Sequence, residues 1–421
     1  MKIYEHIKKS KNYDLIKNQI IMQNSRSALS GAIRSCAANL IYALMEDSEK
    51  KGIYFAANSL NAGKIAEDLR FFSDGEGEDI LLLEPYEYML YDVETKSTEQ
   101  SAARVEILYR ILRGDWKLLV MTPAAAAQWL PNPSYIRDAA ITLKQGDVIE
   151  IQELTRRLSE IRYNRVPQID GKGQFSVRGD IVDIFPYTSE NPVRIEFFDN
   201  EIDSVRLFDV LSQRTIENTG KILILPDNET YIWNWDQADS VRKEILCDLN
   251  TLGLRENSSL YKRVTEDLDK MLPRSIFQGY DRYLPYILEN KYDIFDYTGC
   301  VPVFFENCSA FRETIQSTRE DYIRICQTIQ ENIGILAKSY EIMMTPDQAE
   351  WLCEKKSYNI TYLDEFLTRR DQCELIPVSC RSTEPFAGNL QLMLNSTQEL
   401  ASKGYKTILV TESSVKSACN C

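Results

Sequence analysis

The stretch over residues 177–202 constrains the fold of this chain more than any other, because apolar and polar residues alternate along it. The pair Asp199-Asn200 interrupts the alternation and is typical of a turn between two strands. Successive side chains of a strand point to opposite faces, so Arg194, Glu196 and Phe198 are expected to share one face. The pattern therefore predicts a β-meander with a polar and aromatic row on one side.

The first third of the chain alternates between strand and helix patterns. Short apolar runs typical of buried strands lie at residues 52–56, 80–83 and 117–121. Helical patterns lie between them at residues 28–45, 59–72 and 98–113. Such alternation predicts βαβ units around a parallel sheet.

From about Ala139 the pattern of apolar residues changes to one that is typical of a small α+β domain. A strand at 140–143, an amphipathic helix at 149–161 and a series of short strands predict a domain that ends near Asp209. Helical patterns then return at 241–249, 259–272 and 310–340, with a buried strand at 300–305.

A new α/β pattern begins near Glu374. It consists of a strand at 374–378, a helix at 389–403 and a strand at 407–411. The chain stops soon afterwards, which suggests a fragment of a longer protein.

Composition excludes several classes of function. The net charge of −14 disfavours an autonomous binder of duplex DNA. No apolar run is long enough to cross a membrane and the first 25 residues are charged, so we expect a cytoplasmic chain without a signal peptide. The ten cysteines are scattered without a CxxC pair and His6 is the only histidine, which argues against a zinc site and against Ser-His-Asp or Cys-His catalysis.

The residues of the meander also carry a family resemblance. The segments VRGDIVDIFP (177–186) and RIEFFDNEIDSVRLFD (194–209) resemble the second domain of the nucleotide-excision-repair protein UvrB. They resemble even more closely the matching domain of bacterial transcription-repair coupling factors (Mfd), as do VLSQRT (210–215) and the segment Phe277–Pro285.

The resemblance implies an α/β fold: a degenerate RecA/helicase-like parallel-sheet domain split by a small α+β domain, followed by a partial third α/β domain. The implied domains are 1–130 (first part of the large domain), 131–209 (UvrA-binding-like domain), 210–373 (completion of the large domain) and 374–421 (partial third domain).

The resemblance also identifies where a phosphate-binding loop of the pattern G-x-x-x-x-G-K-[ST] would lie. The corresponding residues retain Gly31 and Ser35, but Ala28, Ile33 and Arg34 replace the two outer glycines and the lysine. Ile33 is the decisive change, because a β-branched residue does not readily adopt the glycine conformation or leave room for a phosphate. We therefore predict that this helix start binds no nucleotide.

A second degenerate position supports the same prediction. ATPases of this class carry an Asp-Glu pair at the end of a buried strand, where it orders magnesium and polarises water. Here the pair becomes Phe305-Glu306 in one register and Glu306-Asn307 in the other. The alternative is a working UvrB-like DNA-dependent ATPase or helicase, for which both motifs should be intact.

Three tyrosines, Tyr86, Tyr88 and Tyr91, follow the strand at 80–83, where UvrB inserts an aromatic hairpin that slides between DNA strands. Aromatic residues could stack on bases. However, acidic residues surround them and the chain leaves no room for a long hairpin. We expect packed loop aromatics instead.

The resemblance assigns a docking role to the second domain, which binds UvrA in the family. The motif positions of this chain are Arg178, Arg194 and Phe198, with Arg165, Phe175 and Arg206 as additional candidates. An arginine pair beside an aromatic ring is a common recipe for an interface hot spot.

The residues alone leave a second interpretation open. Arg178 and Arg194 could simply pair with local carboxylates such as Asp180, Asp183 or Glu196.

The implied function is that of a non-enzymatic adaptor without a cofactor, which recruits UvrA to transcription stalled at DNA damage. In the family, the carboxy-terminal domain of the same protein masks this surface. An ATP-dependent translocase motor and the contacts to RNA polymerase and DNA belong to parts absent from this chain.

Overall fold

The computed structural model describes residues 3–73, 77–90, 98–253, 258–288, 290–332, 334–363, 373–380, 386, 389–405 and 407. The strands, numbered in chain order, are β1 (Arg26–Ser30), β2 (Gly52–Phe55), β3 (Ile80–Leu83), β4 (Leu118–Met121), β5 (Ile141–Lys144), β6 (Asn164–Arg165), β7 (Gln174–Arg178), β8 (Ile181–Phe185), β9 (Val193–Phe198), β10 (Glu201–Phe208), β11 (Thr215–Asn218), β12 (Lys221–Ile224), β13 (Val303–Phe305), β14 (Ile360–Tyr362) and β15 (Glu374–Pro377).

The helices are α1 (Tyr13–Ile21), α2 (Arg34–Ser48), α3 (Ser59–Phe72), α4 (Thr98–Arg113), α5 (Pro123–Ala126), α6 (Pro133–Ala139), α7 (Ile151–Glu160), α8 (Trp235–Thr251), α9 (Ser259–Lys270), α10 (Leu284–Ile287), α11 (Ile294–Thr298), α12 (Cys308–Asn332), α13 (Pro346–Lys356) and α14 (Leu390–Ser402). Short 3₁₀ helices lie at Ile3–Lys9, Tyr280–Tyr283 and Ala337–Tyr340. None of the helices in the described part of the chain is both long and apolar enough to span a membrane.

A seven-stranded sheet forms the centre of the large domain, in the order β15-β1-β14-β13-β2-β4-β3. All its pairings are parallel. Successive side chains of β2 point to opposite faces of the sheet, and all of them are apolar. Ile53 and Phe55 belong to one core cluster and Tyr54 to the other, so helices cover both faces. The predicted α/β fold with a parallel sheet is confirmed.

Strands from distant parts of the chain interleave in this sheet. β1 lies between β14 and β15, and β13 pairs with β2. The large domain is therefore completed only by the chain that follows the small domain.

The small domain is inserted through one antiparallel strand pair. β5 leads into it and β12 leads out of it, with Ile141 opposite Ile224. Between them, a six-stranded sheet has the order β11-β10-β9-β8-β7-β6, antiparallel except for the β6–β7 pair. Leu154 and Leu158 of α7 pack against one face of this sheet.

The limits of this insertion in the structure differ from those expected from the sequence. Ile136 of α6 belongs to the core of the large domain, although it follows the expected boundary at 131. The boundary at 209 falls between β10 and β11, which are adjacent strands of one sheet. The insertion thus corresponds to β5 through β12.

The chain divides by contact density into two units, Met1–Val378 and Ser379–Cys421. The strand expected at 374–378 exists as β15, but it pairs with β1 and completes the seven-stranded sheet. The second unit, described by itself, contains α14, which matches the helix expected at 389–403. In the strand expected at 407–411, residues 408–411 lie outside the described residues.

Candidate protein-docking surface

The face of the six-stranded sheet opposite α7 carries most of the residues expected to bind a partner. We call it the outer face and define it by Arg178, Asp183, Arg194, Glu196, Phe198 and Arg206. Along β9, Val193, Ile195 and Phe197 point into the core, which turns the alternating residues outward.

Two adjacent phenylalanines could have occupied the outer face, and the structure identifies which one does. Phe198 is 75% exposed, whereas Phe197 is 6% exposed and packs in the core. Phe198 therefore shares its face with Arg194 and Glu196, as the alternation predicted.

A buried carboxylate organises the centre of the outer face. Asp183 is almost completely buried, and it lies directly opposite Arg194 in the register of β8 and β9. Arg194 donates to it from Nε at 2.7 Å and from Nη2 at 2.9 Å. Arg178 donates from Nη2 at 2.6 Å. Because one carboxylate balances one of two guanidinium charges, the trio keeps a formal charge of about +1.

The two arginines differ in what they can offer a partner. The side chain of Arg178 is 51% exposed, whereas that of Arg194 is 21% exposed. Arg194 also lies over the ring of Phe208, 4.4 Å from its centroid, and donates to Oε1 of Gln213 at 2.9 Å. Hydrogen bonding to Asp183 raises the pKa of Arg194 above its ordinary value, which keeps the guanidinium charged.

A second ion pair lies beside the first. Arg206 pairs with Glu196, and Ser204 Oγ donates to the same carboxylate at 3.2 Å. Arg206 and Arg194 lie opposite each other on β10 and β9, where two like charges would repel. The repulsion is offset because Arg194 pairs with Asp183 and Arg206 pairs with Glu196. Arg165, on the edge strand β6, is exposed and forms no ion pair with any residue that the structure describes.

Phe175 is not part of this surface, and its assignment as a contact residue was wrong. Its side chain is fully buried in the core of the small domain. The parity of β7 explains the error: Phe175 lies an odd number of residues from Arg178, so the two side chains point to opposite faces. Sequence reasoning also missed Gln213, whose link to Arg194 depends on the fold of a loop and has no local pattern.

The region predicted to correspond to a degenerate phosphate loop forms a tight turn. Ala28 lies inside β1 and is buried, and only three residues separate β1 from α2, which begins at Arg34. Gly31 has φ +82°, and a Cβ there would lie 2.8 Å from the backbone oxygen of Val378. The turn is therefore closed by the chain that follows β15.

The polar side chains of this turn are engaged within the fold. Arg34 Nε donates to Asp68 Oδ2 at 3.0 Å, and Ser35 Oγ donates to the same oxygen at 3.4 Å. Ile33 is the residue that precedes α2 and has an extended backbone. The side chain at the lysine position thus contacts α3.

Phe305 and Glu306, at the position where the sequence analysis expected an altered Asp-Glu pair, both make contacts within the fold. Phe305 is buried, and its ring centroid lies 5.0 Å from that of Phe55. The carboxylate of Glu306 accepts hydrogen bonds from the backbone N–H of Ala57 at 2.6 Å and from Nδ2 of Asn61 at 2.9 Å. Glu306 therefore stabilises the start of α3.

The tyrosines after β3 are packed, as expected for those that the structure describes. Tyr86 is buried and shares hydrogen bonds with Thr230 and Asp281. Tyr88 contacts the rings of Tyr86 and Tyr322, with centroids 5.4 Å and 5.5 Å away. Tyr91 lies outside the described residues.

Comparison with known proteins places these features in a family context. Residues 141–230 match the model of the UvrB interaction domain, and they span β5 to β12. The chain is 26% identical over 419 residues to a transcription-repair-coupling factor of Bacillus subtilis (strain 168), with 97% of this chain covered. It is 26% identical over 433 residues to the protein of that name from Staphylococcus aureus (strain bovine RF122 / ET3-1), with 99% of this chain covered.

The chain spans 35% of the length of each of these two curated relatives. The resemblance to bacterial transcription-repair coupling factors that the sequence predicted is confirmed.

Proposed function

We propose that this chain is a non-catalytic adaptor module that recruits UvrA to transcription stalled at DNA damage, in nucleotide excision repair. The exposed ring of Phe198 on the same face as the arginine cluster is the observation that carries the proposal. The match of residues 141–230 to the UvrB interaction domain supports it. The similarity to transcription-repair-coupling factors supports the link to transcription.

The chemistry of the outer face favours an acidic partner surface with an apolar contact point. Arg178 keeps half of its side chain exposed while Asp183 fixes its orientation, so the guanidinium is preorganised for a second carboxylate. Phe198 supplies exposed apolar area on the same face of the sheet. Rings beside arginines dominate the energetics of many interfaces because they exclude water from the charged contact.

Further partners follow from the same proposal. We assign an autoinhibitory contact of the outer face to the carboxy-terminal domain of the longer relatives. Contacts to RNA polymerase and to DNA, and the ATP-driven motor, are assigned to parts of those proteins outside this chain. The proposed location is the cytoplasm.

The alternative function, a UvrB-like ATPase, requires a phosphate loop and a metal-ordering carboxylate. The side chains at these positions, Arg34 and Glu306, make hydrogen bonds within the fold, and Val378 closes the turn at Gly31. These observations favour the adaptor. Calorimetric titration of the chain with an ATP analogue and Mg²⁺ tests the alternative, and saturable binding would support it.

Binding of purified UvrA tests the adaptor function. We expect Arg178→Glu and Phe198→Ala each to weaken the affinity roughly 10- to 100-fold, since losing a hot-spot side chain costs about 1–3 kcal/mol. Biolayer interferometry with immobilised chain measures the dissociation constants.

A matched control is available in the same domain. Arg156 on α7 is 58% exposed, close to the value for Arg178, and α7 covers the opposite face of the sheet. Arg156→Glu should bind UvrA within about twofold of the unmodified chain. Unchanged binding by both outer-face variants would refute the proposed function.

A further inference from the structure

The loop between β10 and β11, residues 209–214, is fixed by its own hydrogen bonds. The backbone N–H of Gln213 donates to the oxygen of Asp209 at 2.8 Å, and that of Asp209 donates to the oxygen of Arg214 at 2.9 Å. Oδ1 of Asp209 also accepts from the N–H of Ser212 at 2.7 Å. The loop thus has a defined conformation rather than a loose connection.

Gln213 ties this loop to the outer face. Its Oε1 accepts from Arg194 at 2.9 Å, and its Nε2 donates to the oxygen of Val210 at 2.7 Å. Val210 in turn packs against Phe185 and Phe208.

Gln213 has φ +58°, a left-handed backbone conformation that is unfavourable for residues other than glycine. Such a conformation persists only where surrounding contacts enforce it, and it is found preferentially at functional sites. Here the side-chain contacts of Gln213 with Arg194 and Val210 enforce it.

The fixed loop displays a leucine. Leu211 is 93% exposed, more than any other large apolar side chain in the described part of the chain. Single exposed leucines are ordinary on mobile loops, but this one is held by a strained residue bound to the outer face. An apolar side chain that is already held in place loses less conformational entropy on binding, which lowers the free-energy cost of the contact.

We propose that Leu211 is an anchor residue that UvrA buries in an apolar depression bordered by carboxylates, and that Arg194 is a positioning residue which holds the Leu211 loop through Gln213. The inference rests on the proposed function and deepens it. Continuity with the outer face and the exposed guanidinium of Arg214 in the same loop favour this acidic partner surface. It also explains why Arg194, largely enclosed, would matter for binding.

The first test is the affinity of the full chain for UvrA after Leu211→Ser. Burial of a leucine side chain is worth roughly 10- to 100-fold in affinity, so we expect a loss in that range with an unchanged melting temperature. Leu60→Ser is the matched control, because Leu60 is 67% exposed and lies on α3 of the large domain. It should bind as the unmodified chain does.

The second test concerns the positioning role. Gln213→Gly removes the side-chain link and keeps a residue that tolerates positive φ, so the fold is preserved. Amide hydrogen exchange of residues 210–212 should accelerate by about fivefold or more in this variant. Leu211→Ser should cost less affinity in the Gln213→Gly background than alone, because the anchor is already released.

The outcomes separate this inference from the proposed function. If Phe198→Ala loses UvrA while Leu211→Ser binds normally, the anchor role is refuted and the adaptor function stands. Equal losses for Leu211→Ser and Leu60→Ser would also refute it. If Arg178→Glu, Phe198→Ala and Leu211→Ser all bind normally, the adaptor function fails as well. Unchanged exchange in Gln213→Gly would refute the positioning role.

Discussion

Asp183 is the residue on which the arrangement of the outer face depends most, because it fixes two arginines at once. Its burial removes the carboxylate from water, and the donors of Arg178 and Arg194 replace that hydration. Pairing with local carboxylates and presenting a docking surface are therefore compatible uses of the same arginines. The carboxylate orients both side chains and leaves a net positive charge.

Removing this carboxylate should destabilise the chain. We expect Asp183→Ala to lower the free energy of unfolding by about 1–3 kcal/mol, less than for a fully buried pair, because Arg178 remains partly solvated. Urea denaturation followed by circular dichroism measures the change. Asp203→Ala is the control, since Asp203 is exposed on β10 and should change stability by less than about 0.5 kcal/mol. Equal stability of the two variants would contradict the central role of Asp183.

At the residue scale, the sequence predicted the outward row of β9 and included Asp183 among the possible carboxylate partners of the two arginines. It also placed Phe175 on this surface, which was wrong, and it did not predict the contact with Gln213. The period of two along β9 is local, so it correctly placed Arg194, Glu196 and Phe198 together. The enclosure of Arg194 depends instead on the register that sets Asp183 opposite it, and on a loop that supplies Gln213. Neither is encoded in a short window of residues.

The turn between β1 and α2 is the element at which the sequence predicts a degenerate nucleotide motif. β1 extends through Ser30, and Val378 donates its backbone N–H to the oxygen of Ser30 at 2.8 Å. The continuation of β15 thus lies against a turn in which a phosphate loop would need open space.

A side chain at Gly31 should be poorly tolerated. Gly31→Ala combines an unfavourable left-handed conformation with a clash against Val378, and we expect a loss of about 2–4 kcal/mol in the free energy of unfolding. Gly220 offers the matched comparison, because its φ is +60° and a Cβ there would have no neighbouring atom within 4 Å. Gly220→Ala should cost about 1 kcal/mol. Urea titration of both variants measures the difference, and equal losses would show that Val378 does not close the turn.

Elements with local signals were predicted well, and those defined by distant pairing were not. The strand predicted at 374–378 contains a short apolar run that is visible in a local stretch of sequence, and β15 is found there. Its pairing with β1 joins the two ends of the first unit, and this pairing moves the strand from the expected third domain to the large sheet. Local patterns carry no information on such partners.

At the scale of the whole molecule, the main feature is that the large domain is built from two stretches of chain, one before and one after the small domain. The small domain has its own core, in which residues of β5, α7 and β12 pack with the inward face of its sheet. Its contacts with the rest of the first unit include the ion pair of Arg274 with Glu160 at 3.4 Å and a hydrogen bond from Arg162 to the oxygen of Arg274. Polar contacts of this kind stabilise little by themselves.

The small domain should therefore fold when it is separated from the chain. We expect a fragment of residues 139–226 to unfold cooperatively in urea and to bind UvrA within about threefold of the full chain, because its core and its sheet are complete. Retaining Leu225 preserves the hydrogen bond from Tyr163 Oη at 3.2 Å. Circular dichroism and interferometry provide the measurements. A fragment without a cooperative transition would contradict the independence of this domain.

The antiparallel pairing of β5 with β12 has a practical consequence. Because Ile141 and Ile224 lie opposite each other, their Cα atoms are separated by only about 5 Å. A recipient protein needs just one surface loop with stems at that spacing to accept the insertion without rebuilding its interior. The small domain can thus be joined to another protein at a single loop, and a protein engineer can use the same junction to graft it.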